Sequence, residues 1–179
     1  MNHDIRNYHR KYILRKRLSI IICILMVSTL ISYFATIYLM DKVYKSSAIL
    51  TMDIYSISDD SLILRNVKTY SAVATSNQVM DEIINRLNLN YSSKDLHDRI
   101  EVTYDEHTGL IYIEVEDKDA NTAFNIANTL IEVMMERINE IFGENYLKVL
   151  DNPYIPTSLS KPNLPLNIVI ALLFSTFIS

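Results

Sequence analysis

The sequence predicts an α+β domain, a sheet with helices packed on one face, flanked by two transmembrane helices, the second cut short. Three observations predict it. Two uncharged apolar stretches stand near the two ends of the 179-residue chain, at 18–40 and 166–179. Between them, short runs with apolar residues at every second position alternate with longer runs of helical period. Charge is sorted by region: residues 1–17 balance at about +5 and residues 41–165 at about −9, within a net charge of −4.

Residues 1–17 carry Arg6, Arg10, Lys11, Arg15, Lys16 and Arg17 against Asp4 alone. Basic residues beside a membrane helix are retained on the cytoplasmic side, which puts the N-terminus inside and the chain from residue 41 outside the plasma membrane. The same patch has the chemistry for anionic headgroups or an acidic partner. It lies against the bilayer, which argues against nucleic acid.

Residues 18–40, LSIIICILMVSTLISYFATIYLM, hold no charge. As a helix they reach roughly 34 Å, enough for a hydrocarbon core of about 30 Å. The run exceeds the roughly 7–15 apolar residues of a signal peptide, and Asp41-Lys42-Val43-Tyr44 follows with no small-residue cleavage site. It therefore reads as an uncleaved anchor in the lipid bilayer. Ser28, Ser32 and Thr36 recur every fourth residue and form one stripe of small side chains, which lets two helices approach and points to self-association. Cys23 stands alone in the run, so no disulfide framework exists.

Residues 41–151 form the extracytoplasmic domain. Ala48, Leu50 and Met52 alternate with Ile49, Thr51 and Asp53, a strand. Ser56, Ser58, Asp59, Asp60 and Ser61 read as a loop. A helical face follows with Leu62, Val67, Tyr70 and Val73 or Ala74. Ser76 and Asn77 start a further helix carrying Val79, Ile83, Ile84 and Leu87. Ser92-Ser93 starts a short one with Leu96 and Ile100. Ile100, Val102 and Tyr104 alternate, as do Ile111, Ile113 and Val115, around a turn at residues 105–109: a hairpin with the second set facing inward.

Asp119 caps the next helix, which runs from about Ala120 to Phe142 and stops at Gly143. Its apolar face is read as Ala123, Phe124, Ala127, Leu130, Ile131, Met134, Ile138 and Ile141. Tyr146 to Leu150 reads as a last strand. Residues 152–165 hold Pro153, Pro156, Pro162 and Pro165, an extended and stiff connector. Residues 166–179, LNIVIALLFSTFIS, are about 14 apolar positions, short of a span, and read as the start of a truncated second membrane helix.

Catalytic chemistry is thinly represented. Two glycines, Gly109 and Gly143, leave no phosphate-cradling loop. His3, His9, His97 and His107 lack ligand spacing. Asp117-Lys118-Asp119 is a D-x-D, but its last residue already has a capping role. No enzyme, cofactor or metal is expected.

Several runs in order resemble the chain-length determinant (Wzz) family of polysaccharide co-polymerases. They are Tyr44-Lys45-Ser46-Ser47-Ala48-Ile49-Leu50, Tyr70-Ser71-Ala72-Val73-Ala74-Thr75-Ser76, and residues 113–120 followed by Ala123, Ile126, Ala127 and Asn128. The last is a pre-membrane motif with Pro153, Pro156, Pro162, Asn163, Pro165 and Asn167, in which Leu159 stands where the family has its middle proline. Gram-negative members carry a long helical arm for which about 125 residues leave no room. The chain therefore resembles the smaller Gram-positive type. That resemblance implies a non-enzymatic, homo-oligomeric membrane adaptor that modulates chain length or export of a capsular polysaccharide. It implies as partners a cytoplasmic tyrosine kinase, engaged through a short tail after the second helix, and the polymerase or export machinery. The residues alone leave a second class open, the extracytoplasmic ligand-sensing domain of a two-helix receptor.

Overall fold

The computed structural model describes residues 23, 26–38, 40–52, 60–106, 108–143, 146–163, 165–170 and 173. The chain divides into two compact units, Lys42–Ser160 and a second made of Met1–Asp41 with Lys161–Ser179.

The first unit is α+β. Its elements are β1 (Tyr44–Met52), α2 (Asp60–Ala74), α3 (Asn77–Leu87), α4 (Ser93–His97), β2 (Ile100–Tyr104), β3 (Leu110–Asp117), α5 (Ala120–Phe142) and β4 (Leu147–Asp151). Among the described residues four strands form one sheet in the order β2-β3-β1-β4, and every neighbouring pair is antiparallel. Strand alternation decides which face is buried. Ser46, Ala48, Leu50 and Met52 of β1 are buried, and their cross-strand neighbours Ile111, Ile113 and Val115 of β3 are buried with them. Lys45, Glu114 and Glu116 take the other face, where they are half-buried.

Helix α5 closes the core over β1 and β3, with α2 and α3 packed beside it. Asp119 caps it, its carboxylate accepting from the Thr122 N–H at 2.8 Å, and Gly143 ends it at φ +71°. Ser76 caps α3, and Ser92 with Asp95 forms a capping box on α4. Arg86 of α3 grips Glu136 of α5 with both terminal guanidinium nitrogens.

Four expectations are corrected. Asp60 and Ser61 open α2 instead of lying in a loop; residues 53–59 are outside the described part. Ile100 begins β2 and is not part of α4. On α5, Phe124 is only half-buried and Ile141 is 60% exposed, whereas Ile126 and Val133 are buried. The buried stripe is wider than the one read from spacing because α5 touches both the sheet and α2 and α3.

In the second unit, α1 covers 26–38 and α6 covers 165–170. Among the described residues no helix is long and apolar enough to cross a membrane. Helix α1 falls within the apolar stretch 18–40, whose residues 18–22 are outside the described part.

Candidate functional site

The helical unit is built with its polarity turned outward-in. Met26, Leu30, Ile31, Phe34 and Tyr38 of α1 are exposed, as are Leu166, Val169 and Ile170 of α6. The buried residue of α1 is a threonine, Thr36, 4% exposed. Its hydroxyl donates back to the Ser32 carbonyl at 2.7 Å, the local bond that spares a hydroxyl on a helix from needing water. Asn167 completes the contact. Its side-chain amide donates to Thr36 Oγ1 at 3.3 Å, and its carbonyl accepts from Ser32 Oγ at 3.3 Å. Asn163 sets the start of α6, its Oδ1 accepting from the Leu166 N–H at 3.3 Å.

Two sets of residues singled out separately in the sequence thus meet. Ser32 and Thr36, from the small-residue stripe, lie against Asn167 of the pre-membrane motif. Within one chain, the stripe is used by that chain's own second helix. Ser28 sits one turn before Ser32, half-buried. Arg6, Arg10, Lys11, Arg15, Lys16 and Arg17 lie outside the described residues.

Pro153 and Pro156 belong to the domain, Pro162 and Pro165 to the helical unit. Residues 152–160 form no regular secondary structure and bend at 157–158, but they do not hang free. Ser46 Oγ donates to the Tyr154 carbonyl at 2.8 Å, and the Ser160 N–H donates to the Val43 carbonyl at 2.8 Å. Pro156 is buried, Pro153 half-buried. Pro162 follows a cis bond from Lys161, and Pro165 is the first residue of α6. A shallow cavity of about 360 Å³ lies between Lys45 and the hydroxyl-bearing Thr157, Ser158 and Ser160. Its cation is satisfied: Lys45 Nζ bonds Glu114 at 2.5 Å and lies 3.7 Å from Glu116, and the Glu114 bond holds the ammonium above the usual lysine value.

The D-x-D residues are engaged elsewhere. Asp117 is 3% exposed and accepts from Arg99 Nη1 at 3.0 Å, the Tyr91 hydroxyl at 2.8 Å and the Asp119 N–H at 3.0 Å. Arg99 also lies over the Tyr91 ring, 4.4 Å from its centroid. Burial first, and then the bond to Asp117, pushes the Tyr91 phenol above its ordinary value. Among the described residues no group of three metal-ligating side chains converges. Tyr91 and Arg99 carry no motif. The signal for them was Asp117 itself, a carboxylate on the inward parity of an otherwise apolar strand, which requires a cation nearby.

The fold and this geometry define a class: a small α+β domain and a helical unit with an apolar exterior, rich in packing and capping bonds. No protein-family model matches the chain. Among curated proteins it is 32% identical over 111 residues to the probable capsular polysaccharide biosynthesis protein YwqC of Bacillus subtilis, covering 60% of this chain and 44% of that protein. It is 32% identical over 107 residues to the capsular polysaccharide biosynthesis protein CpsC of Streptococcus pneumoniae, covering 60% and 46%. It is 24% identical over 144 residues to the capsular polysaccharide biosynthesis protein CapA of Staphylococcus aureus, covering 76% and 64%. The matches to the first two span about half the length of those relatives. These likenesses to capsular polysaccharide biosynthesis proteins support the resemblance to the Wzz-like capsule co-polymerases read from the sequence.

Proposed function

We propose that this chain is a non-enzymatic membrane adaptor in capsular polysaccharide biosynthesis. It modulates the length or export of the polymer and activates a cytoplasmic tyrosine kinase. In this reading the basic residues 1–17 face the cytoplasm, the apolar stretches beginning at 18 and 166 enter the plasma membrane, and the α+β domain works outside the cell. The observation that carries it is the inverted polarity of the helical unit, apolar outside with the Ser32–Thr36–Asn167 bonds within. Lipid favours that arrangement because helix contacts there rest on small residues and side-chain hydrogen bonds. The printed names of the relatives supply the polymer class, and the family resemblance alone supplies the kinase.

The test is deletion of the gene in its own host, with complementation by the full gene. Capsule amount, polymer length on gels and tyrosine phosphorylation of the kinase are measured together. Loss of length control, restored by the gene, supports the adaptor. An unchanged capsule refutes it, and a changed capsule with unchanged phosphorylation removes the kinase from the scheme. A reporter fused in the β2–β3 turn reads topology separately and must be external.

A further inference from the structure

The geometry points to the cavity beside β1 as a binding site for a neutral sugar unit, one hexopyranose ring of a polysaccharide. The inference rests on the capsule reading proposed above for the source of that sugar, and on the cavity's own lining for its chemistry. The frame is set by the main chain. Residues 154–160 are fixed beside β1 at two points, by the Ser46 hydroxyl on the Tyr154 carbonyl and by the Ser160 N–H on the Val43 carbonyl, both at 2.8 Å. Pro156, between those points in the chain, is buried. The cavity is therefore formed before a ligand arrives. Its volume of about 360 Å³ stands at the small end of ligand clefts, which run from roughly 300 to 1,000 Å³. Because it is shallow, one ring can lie in it while the rest of a polymer stays outside.

The lining selects the ligand. Four hydroxyl-bearing side chains border the cavity, Tyr154, Thr157, Ser158 and Ser160, and among the described residues none of these hydroxyls makes a hydrogen bond. A hydroxyl both donates and accepts, so the row matches a ligand that carries alcohols. Lys45 adds donors: its ammonium has three N–H groups, and Glu114 takes one at 2.5 Å. Tyr154 and Leu159, 54% and 42% exposed, add apolar surface for the C–H face of a ring. Charge argues against the main rival, a phosphate or carboxylate ligand. Lys45 already faces Glu114 and, at 3.7 Å, Glu116, so an added anion would meet net negative charge. A metal ion has no support either, since among the described residues no three metal-ligating side chains converge. A neutral polyol uses the hydroxyls and the ammonium without adding charge.

The experiment uses the full chain in lipid nanodiscs. Capsule from the host is cut by partial acid hydrolysis, and the oligosaccharides are divided by anion exchange into a neutral and an acidic pool. Binding of each pool is read by saturation-transfer difference NMR as a function of concentration. The neutral pool is expected to bind. Thr157→Val combined with Ser158→Ala should raise its half-saturating concentration roughly tenfold, as the loss of two neutral hydrogen bonds predicts. Both residues are exposed, so the melting temperature of the double variant should match the parent's. Asn125→Ala, exposed on α5, should bind as the parent does. No binding of the neutral pool, stronger binding of the acidic pool, or undiminished binding by the double variant overturns the proposal. Diglucosyldiacylglycerol placed in the nanodisc should not compete; if it displaces the oligosaccharides, the sugar belongs to a membrane glycolipid and the polysaccharide assignment falls. Deletion of the gene tests the capsule reading separately. Failure to bind with a deletion phenotype present refutes the cavity alone, and binding without a deletion phenotype keeps the sugar site and refutes the capsule as its source.

Discussion

Replacing Asp117 by alanine should be among the most damaging single changes in the α+β domain. The carboxylate accepts three hydrogen bonds, and one donor is a guanidinium. Bonds to charged groups contribute about 1.5–3 kcal/mol each, and breaking a buried ion pair costs about 3–5 kcal/mol. Two features reduce that figure. Arg99 keeps 28% side-chain exposure, so water reaches it, and it retains the Tyr91 ring beneath it. The expected loss is about 2–4 kcal/mol. For a domain of this size that is a fall in Tm of roughly 8–16 °C. Asp117→Asn keeps the volume and one acceptor and should lose about 1–2 kcal/mol. The assay is urea and thermal unfolding of the full chain in detergent, followed by far-ultraviolet circular dichroism. Combining Asp117→Ala with Arg99→Ala should cost clearly less than the sum of the two, because they share one interaction. A loss under about 0.5 kcal/mol for Asp117→Ala, or simple additivity with Arg99→Ala, would refute the assigned bond network.

Further outcomes can be stated. Leu130→Ala, in the core, should destabilise by about 2–5 kcal/mol, whereas Ile141→Ala should change stability by less than about 0.5 kcal/mol; denaturant midpoints of the two variants check which face of α5 is buried. The Thr122 amide and hydroxyl hold the Asp119 carboxyl below its ordinary value, so its contribution is present above the usual aspartate range and is lost as pH falls through the lowered value; acid titration of Asp119→Asn against the parent should show the smaller acid sensitivity in the variant. Tyr91 has the opposite sign: its contribution is complete below the ordinary tyrosine value and is lost as pH rises through the raised one, and Tyr91→Phe should remove that alkaline loss from the melting profile. Manganese with a nucleotide sugar should leave the Tm unchanged, since Asp117 is saturated by its own chain; a gain above about 1 kcal/mol would revive a D-x-D role. Asn167→Ala should loosen the helical unit by roughly 0.6–1.7 kcal/mol, read by detergent-induced unfolding.

Much of the domain was legible because strands and caps write themselves locally. Alternation at Ala48, Leu50 and Met52 marked a strand, and at Ile111, Ile113 and Val115 it also named the buried face, since a two-residue period admits only two choices. Asp119 and Gly143 marked both ends of α5 because a side-chain acceptor and a left-handed glycine are local requirements. What was not legible depends on partners distant in sequence. Ile126 and Val133 are buried because α5 has neighbours on more than one side, which spacing alone does not reveal. The loop reading at Asp60 and Ser61 relied on polarity, and polar residues also open helices. Tyr91 and Arg99 become visible only when Asp117 is seen to be buried.

The prolines and the small-residue stripe acquire a joint meaning when the two units are compared. In the domain, the incoming chain at Val43 and Ser46 is bonded to the outgoing chain at Ser160 and Tyr154. In the helical unit, Ser32 and Thr36 are bonded to Asn167. Each unit therefore closes the same two stretches of chain on each other, by its own bonds. Closing a long loop is entropically unfavourable, with a cost that grows only slowly with length, so once one closure forms the second adds little loss. A proline segment suits the outgoing side because its restricted backbone loses little freedom when it is laid beside β1. Asn167 suits the apolar unit because an amide among exposed leucine, valine and isoleucine has few partners, and the hydroxyls four residues apart on α1 supply them. The pairing of the two ends is thus specified twice, by polar groups in surroundings where alternatives are scarce.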